Sequence, residues 1–324
     1  MRAVLCKSFG PPETLVIEDV PSPVPGPGQL VISVKAAGVN FPDTLIIQNK
    51  YQYKPPLPFS PGSECAGLVK AVGEGVARFK PGDRVMAVTT YGSFAEEVVT
   101  DQSRVVSIPA GMDFPTAAAF TLTYGTSAHA LLDRGKLNAG ETLLVLGASG
   151  GVGLAAIEVG KALGATVIAS ASTAEKLAVC REHGADDVIN YSTEDLRERL
   201  KTITNGEGVD VVYDPVGGPH SEMALRSTSW RGRFLVVGFA SGEIPKIPLN
   251  LVLLKGCSIV GVFWGEFQRR EPDRFAEIIG QLGRWYQSGK LKPYVSETLP
   301  LERAAEALTR MGNRQVKGKL VLTV

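Results

Sequence analysis

Hydrophobic and polar positions change rhythm near residue 120. Before it, short apolar runs at 30–35, 67–72 and 83–88 read as strands. Pro- and Gly-rich pieces separate them, at 21–28, 55–62 and 80–83. Regularly spaced short strands with such turns predict a partly open β-barrel or sandwich. From Thr142 onward the pattern becomes strand, helix, strand. Apolar strands are predicted at 142–146, 166–171, 187–189, 209–213, 233–237 and 257–263, with helical segments filling the gaps. Two of those helices carry a capping signature, Ser172-x-x-Glu175 and Ser192-x-x-Asp195. Six apolar strands joined by crossover helices predict a doubly wound parallel sheet. Helices at 273–287 and 301–311 and a last strand at 319–324 complete the chain.

The 324 residues set a prior of about two domains, with ample chain for a large core. Charge nearly cancels, 34 basic against 33 acidic residues, so a whole-surface basic field for nucleic acid or anionic membrane is excluded. Cys6, Cys65, Cys180 and Cys257 are far apart, as are His129, His183 and His220, so no zinc-knuckle spacing exists. Such cysteine usage fits a reducing, cytoplasmic compartment. The N-terminus is charged too early for a signal-peptide core. The longest uncharged stretch, 114–132, contains too many Thr, Ser, Gly and Pro residues for a membrane span.

The most informative stretch is Leu143-Leu144-Val145-Leu146-Gly147-Ala148-Ser149-Gly150-Gly151-Val152-Gly153-Leu154. A strand enters a Gly-rich turn and a helix leaves it, the context that makes such a loop a dinucleotide site. Gly150 allows the backbone to approach a pyrophosphate. Gly153 allows the helix to pack close to the strand, and the helix N-terminus offers its N–H groups to phosphate oxygens. The first position of the strict pattern holds Ala148, with Gly147 one step earlier. An NAD site places an acid at the end of the second strand. Here Ala169-Ser170-Ala171-Ser172 are small and neutral. Glu175, the first acid, reads as the capping partner of Ser172. Ser172, Lys176 and Tyr191 can supply the hydroxyls and cation that a 2′-phosphate needs, so NADPH is expected.

The chain also resembles a known family. The carriers are Ala37-Gly38-Val39-Asn40-Phe41-Pro42-Asp43, the stretch Pro56-Leu57-Pro58-Phe59-Ser60-Pro61-Gly62-Ser63-Glu64-Cys65-Ala66-Gly67, Lys80-Pro81-Gly82-Asp83-Arg84-Val85, the glycine loop, and Asp210-Val211-Val212-Tyr213-Asp214-Pro215-Val216-Gly217-Gly218. Together they resemble the zinc-free quinone oxidoreductase (ζ-crystallin-like) branch of the medium-chain dehydrogenase/reductase superfamily, over the whole length. That resemblance implies an α/β chain: a GroES-like β-rich catalytic domain at 1–123, a Rossmann domain with a six-stranded doubly wound sheet at 124–266, and a segment 267–324 returning to the first domain, with the active cleft between the two. Zinc members carry Cys and His ligands where this chain has Asn40 and Ser63, and the four-cysteine structural lobe is missing, so no zinc is expected. Without a Lewis acid, quinones and α,β-unsaturated carbonyls become the expected hydride acceptors.

Carried over residue by residue, the resemblance puts Asn40 beside the nicotinamide and the acceptor carbonyl, and Tyr51 on the quinone pocket. Thr126 opens a helix beneath the phosphates; Gly150, Gly151, Val152 and Gly153 hold the pyrophosphate; Ser172, Lys176 and Tyr191 meet the 2′-phosphate. Gly238 and Phe239 cover the ribose and ring, Val262 and Phe263 offer backbone groups to the carboxamide, and Lys319 matches a phosphate-contacting position. Asp43 and Asp214 read as turn or helix-start acids rather than proton donors. The apolar strand 257–263 would leave a sheet edge, which predicts a homodimer through it. Two alternatives stay open: an enone, alkenal or enoyl-thioester double-bond reductase, and a non-catalytic NADPH- or RNA-binding protein. The lack of an aromatic–basic motif weighs against RNA.

Overall fold

The computed structural model describes all 324 residues, which divide into two compact units: Met1–Leu122 with Pro293–Val324, and Thr123–Lys292. The first unit is mostly antiparallel β-structure. Its spine is the strand Gln29–Val39. One edge of this strand pairs with Glu64–Val72; the other is shared, Glu97–Asp101 taking the first half and Lys319–Thr323 the second. The sheet continues through Arg84–Val88 to Val105–Ser107, and from Lys319–Thr323 to Val295–Pro300, the one parallel pair. Its end strands do not pair with each other, so the sheet stays open. Register shifts at Val31/Ile32 and Val34/Ala36 bend the spine, as bulges do. Leu30, Ile32, Val34, Ala37 and Val39 fill the core with Val85, Ala87, Leu320 and Leu322. The spine runs beyond the expected 30–35 because Ala36-Ala37-Gly38, weak strand formers alone, gain the returning strand as a partner.

The second unit is a six-stranded, all-parallel sheet. Its order is Asp187–Asn190, Thr166–Ala171, Thr142–Val145, Val209–Asp214, Thr228–Val236, Ser258–Gly261. Leu143-Leu144-Val145 and residues 167–171 are buried, as expected of parallel strands covered on both faces. The direction of strand order reverses between Thr142–Val145 and Val209–Asp214, the switch point where such sheets bind ligands. The fifth strand begins at Thr228 rather than 233, with a register shift between Val209 and Val211.

Four expectations need correction. The chain returns to the first unit at Pro293, not at 267. The helix Pro272–Gln287 buries Phe275, Ile278, Ile279 and Leu282, sets Phe275 5.2 Å from Trp264, and pairs Arg274 with Asp133 at 2.5 Å, so it belongs to the second unit. Thr173, not Ser172, caps the helix Ala174–Glu182, accepting the Lys176 N–H. Asp195, not Ser192, caps Leu196–Ile203, accepting the Glu198 N–H. The sixth strand is shorter than 257–263: Cys257 precedes it, and Phe263 caps the helix Trp264–Arg270. No helix is long and apolar enough to cross a membrane.

Candidate dinucleotide site and acceptor-side polar cluster

In the second unit, Thr142–Val145 runs through Leu146 into a turn whose first residue, Gly147, has φ of 57°. That left-handed conformation explains why the glycine precedes Ala148. Gly150 N–H closes the turn on Gly147 O at 3.1 Å, and Gly150 is the N-cap of the helix Gly151–Ala162. A Cβ on Gly153 would lie 2.5 Å from Gly147 O and 2.6 Å from Ala148 O, so only glycine lets this helix sit on the turn. A Cβ on Gly150 would meet nothing nearer than Gly147 O at 3.5 Å. The space before the helix is therefore open, and no side chain caps its first turn. These features fit a pyrophosphate received by the N–H groups of Gly151 and Val152.

Ser127 holds this turn in place. Its hydroxyl donates to Val152 O at 2.9 Å and hydrogen-bonds the buried Tyr213 hydroxyl at 3.0 Å. Neighbouring Thr126 is buried but does not open a helix: it lies within Thr121–Ala128, whose start is Thr121. Sequence reading missed Ser127 and Tyr213; their pairing spans 86 positions and has no local signal.

The ends of four further strands carry most of the remaining expected cofactor residues. Ser172 and Lys176 follow Thr166–Ala171, and Tyr191 follows Asp187–Asn190. Because Thr173 does the capping, Ser172 Oγ is left to Lys176 Nζ, 3.4 Å away. Tyr191 packs on His220, ring centroids 4.6 Å apart. Gly238 and Phe239 follow Thr228–Val236, Phe239 lying against Gly217. Val262 and Phe263 follow Ser258–Gly261; the Val262 N–H is committed to Val236 O, which leaves the Val262 carbonyl and the Phe263 N–H for a carboxamide. Asp214 is a turn residue, as its environment shows: Oδ1 accepts the Val216 and Gly217 N–H groups and Oδ2 the Ser221 hydroxyl.

In the first unit a buried polar cluster surrounds Asn40, which joins the spine strand to the helix Phe41–Ile46. Asn40 N–H donates to Asp43 Oδ2 at 2.8 Å, so Asp43 is the reciprocal acid of a capping box. Burial pushes the Asp43 carboxyl up to about 7, against the opposing pull of the Asn40 N–H, the Ser63 hydroxyl and Lys319. The Asn40 amide donates to Glu64 Oε1 at 3.0 Å and, more loosely, to Gly38 O and Ser63 Oγ at 3.2 and 3.3 Å. Asn40 and Ser63, at the positions of Cys and His in zinc relatives, thus bond to each other. No group of three or more His, Cys, Asp or Glu side chains comes together to hold a metal ion. Tyr51 packs on the core of this unit, 5.9 Å from the Tyr53 ring; burial and the nearby Asp43 push its hydroxyl up to about 12.

Lys319 corrects the expectation of a phosphate contact. It is buried, and its ammonium donates to Glu64 Oε1 at 2.5 Å, Asn40 Oδ1 at 2.6 Å and Val39 O at 3.2 Å. All three ammonium protons are used within the first unit. Glu64 was not anticipated; an acid opening a strand whose next five residues, Cys65-Ala66-Gly67-Leu68-Val69, are uncharged is the signal that could have found it.

Comparison with known proteins places this geometry. The alcohol dehydrogenase GroES-like domain matches residues 26–110, and the zinc-binding dehydrogenase domain matches 151–281. A quinone oxidoreductase-like protein 2 homolog of Nematostella vectensis is 38% identical over 324 residues, covering 99% of this chain and 88% of that one. The crystal structure of Escherichia coli quinone oxidoreductase complexed with NADPH superposes with a TM-score of 0.92 at 32% identity, covering 100% of both chains. A structure described as an NAD-dependent alcohol dehydrogenase superposes at 0.91, also 32% identical and covering 100% of both. On the matched domains and whole-length relatives, the chain is an oxidoreductase of the quinone oxidoreductase (ζ-crystallin-like) branch of the medium-chain dehydrogenase/reductase superfamily.

Proposed function

We propose that this enzyme is a zinc-independent, NADPH-dependent quinone reductase. The observation that carries the cofactor choice is the end of the strand Thr166–Ala171. The closing residues Ala169-Ser170-Ala171 and Ser172 after them carry no carboxylate to bond a ribose 2′-hydroxyl, the first acid being Glu175 in the next helix, and Lys176 Nζ and Ser172 Oγ are paired there, 3.4 Å apart. A 2′-phosphate accepts from both groups, and the Tyr191 hydroxyl adds a third donor. The zinc-independent reading is supported by the donor set: an amide and a hydroxyl, 3.3 Å apart, in place of thiolate and imidazole.

When bound, NADPH supplies a hydride; with one proton from solvent, a quinone becomes a hydroquinone. The chain's own residues bind, orient and exclude water. Gly151 and Val152 donate to the pyrophosphate, and Ser127 fixes their turn. Gly238, Phe239, the Val262 carbonyl and the Phe263 N–H hold the ribose and carboxamide. Asn40 directs its more loosely held amide hydrogen to the acceptor oxygen, and Tyr51 lines the ring. Asp43 stays a capping acid, sealed from solvent.

The acting assembly in this reading is a homodimer joined through Ser258–Gly261. This strand is a sheet edge with Ile259 exposed. Leu253, Leu254 and Trp230, each at least 70% exposed, supply further apolar surface. Sedimentation should give twice the 34.4 kDa chain mass; a monomer refutes this part. The activity test is nicotinamide oxidation by metal-stripped protein with a simple quinone or a simple 2-enone, NADH serving as control. Turnover of NADPH with the quinone supports the proposal. Preference for the enone moves the function to double-bond reduction with the same cofactor, and turnover that needs added zinc overturns the metal-free reading.

A further inference from the structure

We infer that Lys319, gripped by Glu64, is a positioning residue that sets the orientation of the Asn40 side-chain amide. The inference rests on the proposed role of Asn40 at the acceptor. Pairing of Leu320 with Val39 delivers the preceding Lys319 beside Asn40. There the amide is clamped at both ends. Its oxygen accepts from the Lys319 ammonium at 2.6 Å, and its nitrogen donates to Glu64 Oε1 at 3.0 Å. The same Glu64 oxygen takes the ammonium at 2.5 Å, and Glu64 Oε2 accepts the Leu122 N–H at 3.0 Å. Turning the amide over would set its NH2 against the cation and its oxygen against the carboxylate. Only one amide orientation is therefore compatible with the pair.

Lys319 is 4% and Glu64 1% exposed. Burying such a pair is costly, and apolar replacements are often as stable or more so, so stability alone does not account for it. Fixing one amide orientation does. The arrangement also polarises the amide: donation into Oδ1 strengthens the Nδ2–H groups as donors. One of those hydrogens is held only loosely, by Gly38 O and Ser63 Oγ, and can turn to an oxygen on which charge develops.

The test is a double-mutant cycle. Lys319→Met is made in the wild-type and Asn40→Ala backgrounds, with two readouts: NADPH affinity by fluorescence titration at low and high salt, and kcat at saturating NADPH and quinone. Should Lys319→Met fail to fold, the charge-neutral pair Lys319→Met/Glu64→Leu replaces it in both arms. A positioning role predicts an NADPH Kd unchanged within about 3-fold, and a kcat lowered ~10- to 100-fold, the scale for a reacting group misplaced by about 1 Å. In the Asn40→Ala background the same change should have no further effect on kcat. A tenfold weaker NADPH affinity with unchanged kcat and a reduced salt dependence would make Lys319 a phosphate contact and overturn the inference. An equal loss of kcat in both backgrounds overturns it too, by showing action independent of Asn40. Wild-type protein that turns over neither quinone nor enone overturns the functional reading and this inference with it, whereas wild-type turnover with an additive cycle overturns this inference alone.

Discussion

Two glycines three residues apart in the phosphate loop should respond to the same methyl group in opposite ways. Gly150 has ordinary dihedrals, φ −79° and ψ 170°, and an added Cβ would have no neighbour closer than 3.5 Å. Alanine is a poorer N-cap than glycine, by about 0.5–1 kcal/mol. It also restricts the unfolded chain, which returns about 0.4–1 kcal/mol. The two terms cancel, so Gly150→Ala should leave the melting temperature within about 2 °C of wild type. The methyl would nevertheless occupy the space a pyrophosphate must enter. Losing one charge-assisted hydrogen bond of about 1.5–3 kcal/mol weakens NADPH binding roughly 10- to 100-fold. At Gly153 the methyl meets backbone instead. Moving Gly147 O from 2.5 Å to an ordinary 3.4 Å requires a 0.9 Å displacement of the turn from the helix. Overpacking of that kind costs about 1–3 kcal/mol. For a unit of this size that is a fall of about 2–4 °C per kcal/mol. Differential scanning calorimetry and a fluorescence titration with NADPH separate the outcomes. Wild-type NADPH affinity in Gly150→Ala would refute the assignment of this space to phosphate, and an unshifted melting temperature in Gly153→Ala would refute the close packing.

Other perturbations test the remaining parts. Lys176→Met should cut the preference for NADPH over NADH by ~10- to 100-fold with NADH affinity nearly unchanged; equal losses for both cofactors would contradict its assignment to the 2′-phosphate. Glu158 is buried and accepts the Tyr124 hydroxyl at 2.7 Å, the Lys292 N–H at 2.8 Å and His183 Nδ1 at 2.5 Å, so Glu158→Ala should cost about 3 kcal/mol in denaturant titrations. His129 stacks on Phe267 with centroids 3.9 Å apart, and its Nδ1 lies 3.2 Å from Asp133 Oδ2 but out of hydrogen-bonding alignment; burial lowers it to about 4. The unfolded chain therefore takes up the proton first, and stability should be complete above about pH 6.5 and fall by on the order of 2–3 kcal/mol as pH drops to about 4. The pH slope over that window should be reduced by that amount in His129→Phe, and an unchanged slope would place the sensitivity elsewhere.

The predictions rest on features that differ in how far the sequence alone reveals them. The central parallel strands Thr142–Val145, Thr166–Ala171 and Val209–Asp214 were legible because each is a largely buried run followed by a turn, and Leu143-Leu144-Val145 needs no partner to be read as interior. The glycine loop was legible because its chemistry is local: strand, turn and helix start lie within about a dozen residues. Ambiguity began where neighbours compete for one role. Ser172 and Thr173 are both good caps, and only the position of the first helical turn gives the task to Thr173 and releases Ser172 to Lys176. The apolar stripe of Pro272–Gln287 is visible in the sequence, but a stripe names no partner, and Trp264 and Asp133 are what assign the helix to the second unit.

Lys319 marks the limit most sharply. A lysine suits a phosphate as well as a buried carboxylate, and nothing near it in sequence distinguishes them. Its partners Glu64 and Asn40 lie 255 and 279 positions away. What distinguishes the two is register. The last strand pairs Leu320 with Val39, Val321 with Gly38 and Leu322 with Ala37, sending Leu320 and Leu322 into the core. Successive strand residues alternate faces, so a slip of one residue would turn both leucines out of the core. The apolar residues of the final strand thus hold the register that brings the ammonium to Asn40. A substitution such as Leu322→Ala should therefore lower kcat through Asn40 as well as stability, without touching the dinucleotide.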